Sequence, residues 1–341
     1  MSLSRRSLLK TLAASPIALA TPQWARAAEG RVIKISHQFP GGTIDSGDFR
    51  DRLTRRFAAE VEKRTKGSLK FEIYPGSSLM KTVAQFSGIR KGALDMTLYP
   101  LAYAGGEVQE LNIGLMPCMV TSYEQGFAWK KAAIGHELTK LLEAKGVKII
   151  TWIWQAGGIA SRSTPVSVPE DVKGLKIRGG SREMDLMLKA AGGIISSVPS
   201  NEIYPAMQTG SLDAAVTSST SLISFRLEEI SKALTTGRGK SFWYMLEPLL
   251  MSKQIFDSLS ANEQKALLDV GLEMESFATA QAKVDDEQIV SVFKKANAKI
   301  IDMDQNTVNH WRKIAEEAAW TDFSKRSSEC ERFLKLAKAV T

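Results

Sequence analysis

Cysteine is scarce in this chain. Cys118 and Cys330 are the only two among 341 residues. They are too few and too far apart for a disulfide framework or a thiolate metal site, and they read as buried free thiols. Histidine is also sparse. His37, His136 and His310 are the whole set, and no two stand at metal-ligand spacing. There is no G-x-S-x-G elbow, no Walker loop and no G-x-G-x-x-G fingerprint. These absences remove metal, nucleophile-elbow, nucleotide-hydrolysing and dinucleotide chemistry from the readings the motifs support, and no cofactor or metal is expected. Beyond the first 27 residues no stretch approaches about 18 uninterrupted apolar residues, which excludes a spanning helix. One-sided charge is missing too. The net charge is +8, but Arg5, Arg6, Lys10 and Arg26 supply four of it with no acid among the first 27 residues, leaving +4 for the rest. The basic residues there are interleaved with acids, unlike the stripe that binds nucleic acid.

The N-terminus carries the clearest short signal. Arg5-Arg6 is followed by an apolar run over residues 11–20 and then by Ala25-Arg26-Ala27. Charge, apolar run and small-residue cleavage site occur in the order of a twin-arginine export signal, cut after Ala27. Residues 1–27 are therefore expected to be a signal peptide, and the mature protein to be periplasmic.

The remainder alternates in period. Residues 32–36 read as a strand. Phe49, Leu53, Phe57 and Val61 then repeat every four residues, one helical stripe. Residues 69–74 alternate as a strand before Pro75-Gly76, residues 82–91 form a helix ending at Gly92, and residues 94–99 form a third strand. Strand–helix–strand–helix–strand implies parallel pairing and an α/β domain. The same grammar restarts with an apolar strand over 147–154, a short strand over 175–178, a helix over 181–190, and extended segments at 194–198 and 212–216. Two grammars predict two lobes. From Ala261 onward the chain is rich in Ala, Glu, Lys and Gln at helical period, as expected of helices buttressing both lobes.

Ligands of open α/β sheets bind beyond the carboxyl ends of the strands. The candidate contacts are therefore strand-end residues: His37, Tyr99, Trp152, Trp154, Gln155, Arg178, Thr217 and Ser218, with Trp243 from the aromatic cluster Phe242-Trp243-Tyr244. Arg178 ends a short strand, and a fixed guanidinium binds a carboxylate by donating two parallel hydrogen bonds to it. The aromatic residues either line an apolar pocket or pack in the core beside a hinge. Gly157-Gly158 and Gly179-Gly180 read as tight turns at strand ends.

Several segments resemble the DctP-type periplasmic binding proteins of tripartite ATP-independent periplasmic (TRAP) transporters. They are YPGSSL at 74–79, GIRKGALDM at 88–96, PEDVKGLKIR at 169–178 and EIYPAMQTGSLDA at 202–214. The resemblance implies an α/β, two-lobed periplasmic binding protein fold with a hinge, crossing strands and a long connecting helix. It implies lobe I at residues 31–154 plus about 244–283, and lobe II at 155–243 plus about 284–341. It makes Arg178 the carboxylate clamp. Sialic-acid members carry a further arginine where this chain has Gly158, with Arg162 four residues away, which disfavours that ligand. Keto-acid members carry a glutamine near Gln155, which matches. Their sodium-binding glutamate falls on Val216-Thr217 here, which does not. The expected function is a receptor, not an enzyme. It would take a small organic carboxylate, with an aromatic or keto acid as the finer expectation, to TRAP membrane subunits, and act as a monomer without nucleic acid. The rival readings are a binding protein of another transporter class and an exported enzyme acting on a small acid.

Overall fold

The computed structural model describes residues 30–340; the predicted signal peptide lies outside the described residues. Four strands, β1 (Arg31–His37), β2 (Leu69–Tyr74), β3 (Met96–Leu98) and β4 (Val147–Thr151), belong to one sheet. A second sheet begins with β5 (Trp154–Ser161), β6 (Lys176–Arg178), β7 (Ile194–Ile195), β8 (Ala214–Ser218) and β9 (Ala233–Thr236). The chain continues through β10 (Tyr244–Leu246), β11 (Leu249–Ser252) and β12 (Lys299–Asp302).

The first sheet has the order β2-β1-β3-β11-β4, with β1 parallel to both β2 and β3 and with β11 antiparallel. The helix Phe49–Arg64 crosses between β1 and β2, as the stripe of Phe49, Leu53, Phe57 and Val61 requires, and all four side chains are buried. Asp48 caps this helix by accepting from the Arg50 amide at 2.9 Å, satisfying one of the donors a helix start leaves free. The second sheet has the order β12-β9-β5-β8-β6-β7, with β10 paired to the start of β5. The molecule thus has the two α/β lobes that the alternating grammar predicts.

Two chain crossings join the sheets. β4 leads through Trp152-Ile153 into β5, and β10 leads through Glu247-Pro248 into β11. They run side by side, antiparallel, with Leu246 opposite Trp154 and the Glu247 amide donating to the Ile153 carbonyl at 2.8 Å. A third connection is the 35-residue helix Ala261–Lys295. At 1.5 Å per residue it is about 50 Å long, and it packs against β4 of one sheet and β5, β9 and β12 of the other. A capping box between Ser260 and Glu263 starts it, and Asn297, at φ 60°, follows its end.

β12 was not expected inside the helical C-terminal stretch. Its Ile300 and Ile301 are only half-buried on an edge strand beside β9, so no strong alternation marks it. Gly157 and Gly158 also differ from the expected turn, because both lie within β5. A Cβ on Gly157 would fall 2.3 Å from the Trp243 ring, and one on Gly158 2.4 Å from the Thr235 carbonyl. The pair serves close packing across the strand. Cys118 and Cys330 are buried and free, and burial pushes the Cys118 thiol up to about 12. Among the described residues no helix is long and apolar enough to cross a membrane.

Candidate functional site

Arg178 ends β6 and is buried to 1% exposure. Its donors meet only neutral acceptors. Nε donates to the Val198 carbonyl at 3.0 Å, Nη1 to the Val216 carbonyl at 2.8 Å and Nη2 to the Tyr103 hydroxyl at 2.6 Å. No carboxylate among the described residues forms an ion pair with it. Asp185, whose charge interacts with Arg178, is committed elsewhere. It accepts from Ser197 Oγ at 2.6 Å and from the Gly179 amide at 3.0 Å, and burial pushes its carboxyl up. The guanidinium is thus buried with no carboxylate in hydrogen-bond contact, an unfavourable state for a cation unless an anion pairs with it. The turn after it is built for close approach. Gly180 has φ 98°, and a Cβ there would lie 2.6 Å from Arg178 Nη1.

Tyr103 lies on the segment Leu101–Gly106 that follows β3. Its hydroxyl accepts from Arg178 and also from the Ser200 amide at 3.1 Å. One phenol from the first lobe thereby ties two groups of the second. Its ring stands edge-on to Tyr99 at 6.0 Å. Nothing in the periodicity singled out Tyr103; its place four residues past an expected strand end was the available signal.

A second buried arginine lies nearer the hinge. Arg50, fully buried, holds Asp48 through Nε at 2.9 Å and Nη2 at 2.6 Å. Nη1 reaches Glu247 at 3.3 Å and Ser221 at 3.0 Å, and the group stacks on Phe39 at 3.6 Å. Burial acts to lower its pKa, but Asp48 and Glu247 outweigh it and hold the group raised. Glu247 shares Oε2 with Gln155 Nε2 and Arg50. Burial pushes the Glu247 carboxyl up to about 7 against the opposing pull of Arg50. The sequence reading missed Arg50, Asp48 and Glu247. Arg50, Thr54 and Ala58 are all buried, so the helix buries a second face at i, i+4 spacing, and the small residues at 54 and 58 were the clue.

The other expected contacts fall into two groups. Around Arg178, Trp243 donates Nε1 to the Gly179 carbonyl at 3.2 Å. Thr217 pairs with Gly158 in the neighbouring ladder, and Tyr99 packs between Phe86 and Tyr103 with its buried hydroxyl unpartnered. Around Arg50 lie Gln155 and Ser218. Both belong to strands, Ser218 also capping the helix Ser219–Ser224. The Gln155 and Glu247 Oε1 atoms and the Gln38 amide are buried without partners. Three expected contacts are committed elsewhere. His37 is fully buried against Asp51 at 3.2 Å and stacks on Phe39. Burial raises Asp51, but hydrogen bonds to His37 and Arg55 hold it below its ordinary value. Trp154 stands edge-on to Trp129 at 5.3 Å. Trp152 is buried and its amide donates to Glu275 at 3.1 Å.

Two α/β lobes joined by crossing strands and one long helix, with a buried guanidinium whose hydrogen-bond partners are all neutral, are the architecture of a hinged binding protein. The comparisons with known proteins agree on the class. The chain belongs to the DctP family, described as bacterial extracellular solute-binding protein, family 7, whose model matches residues 46–326. A solute-binding protein of Albidiferax ferrireducens is 59% identical over 337 residues, covering 98% of this chain and 99% of its own. The C4-dicarboxylate-binding periplasmic protein DctP of Rhodobacter capsulatus is 28% identical, covering 94% of this chain and 92% of its own. The crystal structure of a TRAP periplasmic solute binding protein from Rhodoferax ferrireducens, with bound malonate, superposes with a TM-score of 0.90 at 62% identity. It covers 90% of this chain and 98% of that one.

Proposed function

We propose that this protein is a periplasmic receptor that binds a small organic carboxylate on Arg178 and delivers it to a TRAP membrane permease. The observation that carries the reading is the charge state of the site. Arg178 is buried, and all three of its partners are neutral. A carboxylate would supply the missing charge through the bidentate geometry of a guanidinium. Malonate in the related Rhodoferax receptor supports the ligand class. An aromatic or keto acid is the finer assignment, and the unpartnered Gln155 Oε1 together with the rings of Tyr99 and Tyr103 supports it.

Hinge closure follows from the connections. The lobes would be residues 31–154 plus about 244–283, and 155–243 plus about 284–341. Rotation would be taken up at the crossings around Trp152-Ile153 and Glu247-Pro248. A ligand touching both lobes biases closure by its differential affinity for the closed form. Residues 1–27 would direct twin-arginine export. The receptor would act as a monomer without cofactor or metal.

Mass spectrometry of acids copurifying with the mature protein, followed by calorimetry, tests the reading. A carboxylate that binds wild type and is lost in Arg178→Ala supports it. Equal binding in both variants removes it.

A further inference from the structure

A cavity of about 500 Å³ lies beside the clamp. Val83, Ala102 and Tyr103 line it from one lobe, and Leu186, Ile195 and Val198 from the other, so it is complete only when the lobes are together. On the clamp's side it is walled by residues that contact the guanidinium. Tyr103 accepts from Arg178 Nη2, the Val198 carbonyl accepts from Nε, and Gly180, which also lines the cavity, lies against Nη1. The aromatic residues nearer the hinge leave the ligand body less freedom. Trp243 fills the space over Gly157, and Trp154 is packed on Trp129 and Gly126.

We infer that this cavity is the subsite for the body of the ligand, and that the receptor takes carboxylates with an extended apolar chain or ring. The inference rests on Arg178 being the carboxylate clamp. It places the rest of the molecule past Tyr103, between the segment Leu101–Gly106 and the helix Arg182–Ala190, and not among the tryptophans. A three-carbon diacid fills only a small part of such a volume, whereas pockets of about 300–1,000 Å³ suit larger ligands. Most of the lining surface is apolar, and among its polar residues Ser181, Arg182, Asp185 and Ser197 are already hydrogen-bonded within the protein, leaving Asn112 and Lys189 beside them; this favours a hydrocarbon body over a polyhydroxylated one. Hydroxyls of a sugar acid that fell against Val83, Leu186, Ile195 and Val198 would find no partners there.

The test is calorimetry on the mature protein with acetate, malonate and the straight-chain monocarboxylates from propionate to octanoate. Affinity is expected to rise about fourfold per added methylene until the cavity is full. Gly106 lines the cavity and a Cβ there meets no atom within 4 Å, so Gly106→Leu occupies the space without a backbone clash. Val83, 63% exposed, tolerates Val83→Trp at the rim. Both variants should weaken the long-chain acids by about tenfold or more while leaving acetate and malonate within about twofold. A flat series, or long-chain binding indifferent to both variants while Arg178→Ala abolishes it, overturns the subsite and leaves the clamp. Binding of every acid unchanged in Arg178→Ala overturns the clamp and this inference together.

Discussion

Two buried arginines divide the interior of this molecule. Arg50 is saturated with charge, holding Asp48 through Nε and Nη2 and Glu247 through Nη1. Arg178 is equally buried and meets two carbonyls and a phenol. The same side chain in the same dielectric therefore has two different jobs. Where the counter-ions are built in, the guanidinium joins the helix Phe49–Arg64 to the crossing at Glu247 and to Ser221 on the second lobe. Where they are left out, the role proposed for the guanidinium is to take an anion from outside. What distinguishes a structural arginine from a binding one is the partner list; burial alone does not.

The comparison breaks first, and most visibly, at Arg50. Arg50→Ala leaves Asp48 and Glu247 buried without their cation, and removing one partner of a buried pair costs about 3–5 kcal/mol. Chemical denaturation should show that loss; a stability within about 0.5 kcal/mol of wild type would make Arg50 dispensable. Arg178→Ala should behave in the opposite sense. The empty protein should lose little stability, because an uncompensated charge is removed, while carboxylate affinity falls by about 2–5 kcal/mol, roughly 30- to 5,000-fold. Thermal unfolding and calorimetry on one sample separate the two readouts. Large destabilisation with full affinity would reverse the assignment.

Glu247 sharpens the contrast through pH. Its folded carboxyl is raised from 4.5 to about 7 by burial, so the fold favours the protonated form. That contribution is complete below about pH 4.5 and is lost as pH rises through about 7, by on the order of 3 kcal/mol. The groups facing it are Arg50, Asp48 and Gln155, and Glu247→Gln should flatten the stability profile in that window. A profile of unchanged slope would mean that Glu247 is ionised throughout. The smallest effect belongs to Tyr103. Tyr103→Phe deletes the hydroxyl shared by Arg178 and Ser200, a loss of about 0.5–1.5 kcal/mol. Malonate should bind less than about tenfold more weakly; no change would leave the interlobe tie without influence on closure.

Much of the fold was legible along the chain, for local reasons. The stripe at Phe49, Leu53, Phe57 and Val61, the alternation over 69–74 and the glycine stops each depend on a few neighbouring residues, and the structure places a helix or strand at each. Arg178 stood out because a short strand ended on it. The tryptophans were legible only as aromatic. Trp154 finds Trp129 across 25 positions of sequence, and Trp243 finds Gly157 across 86, contacts that no local pattern announces.

The sequence by itself determined the alternating α/β grammar, the long C-terminal helix and the arginine at the end of the 175–178 strand, because periodicity and turn residues act over one or two turns of chain. Only the tertiary structure decided which arginine is free. Asp48 is two residues from Arg50 but Glu247 is 197 away, and Tyr103 is 75 from Arg178. Electrostatic compensation depends on distance in space, and the crossings that bring Glu247 to Arg50 leave Arg178 with neutral partners.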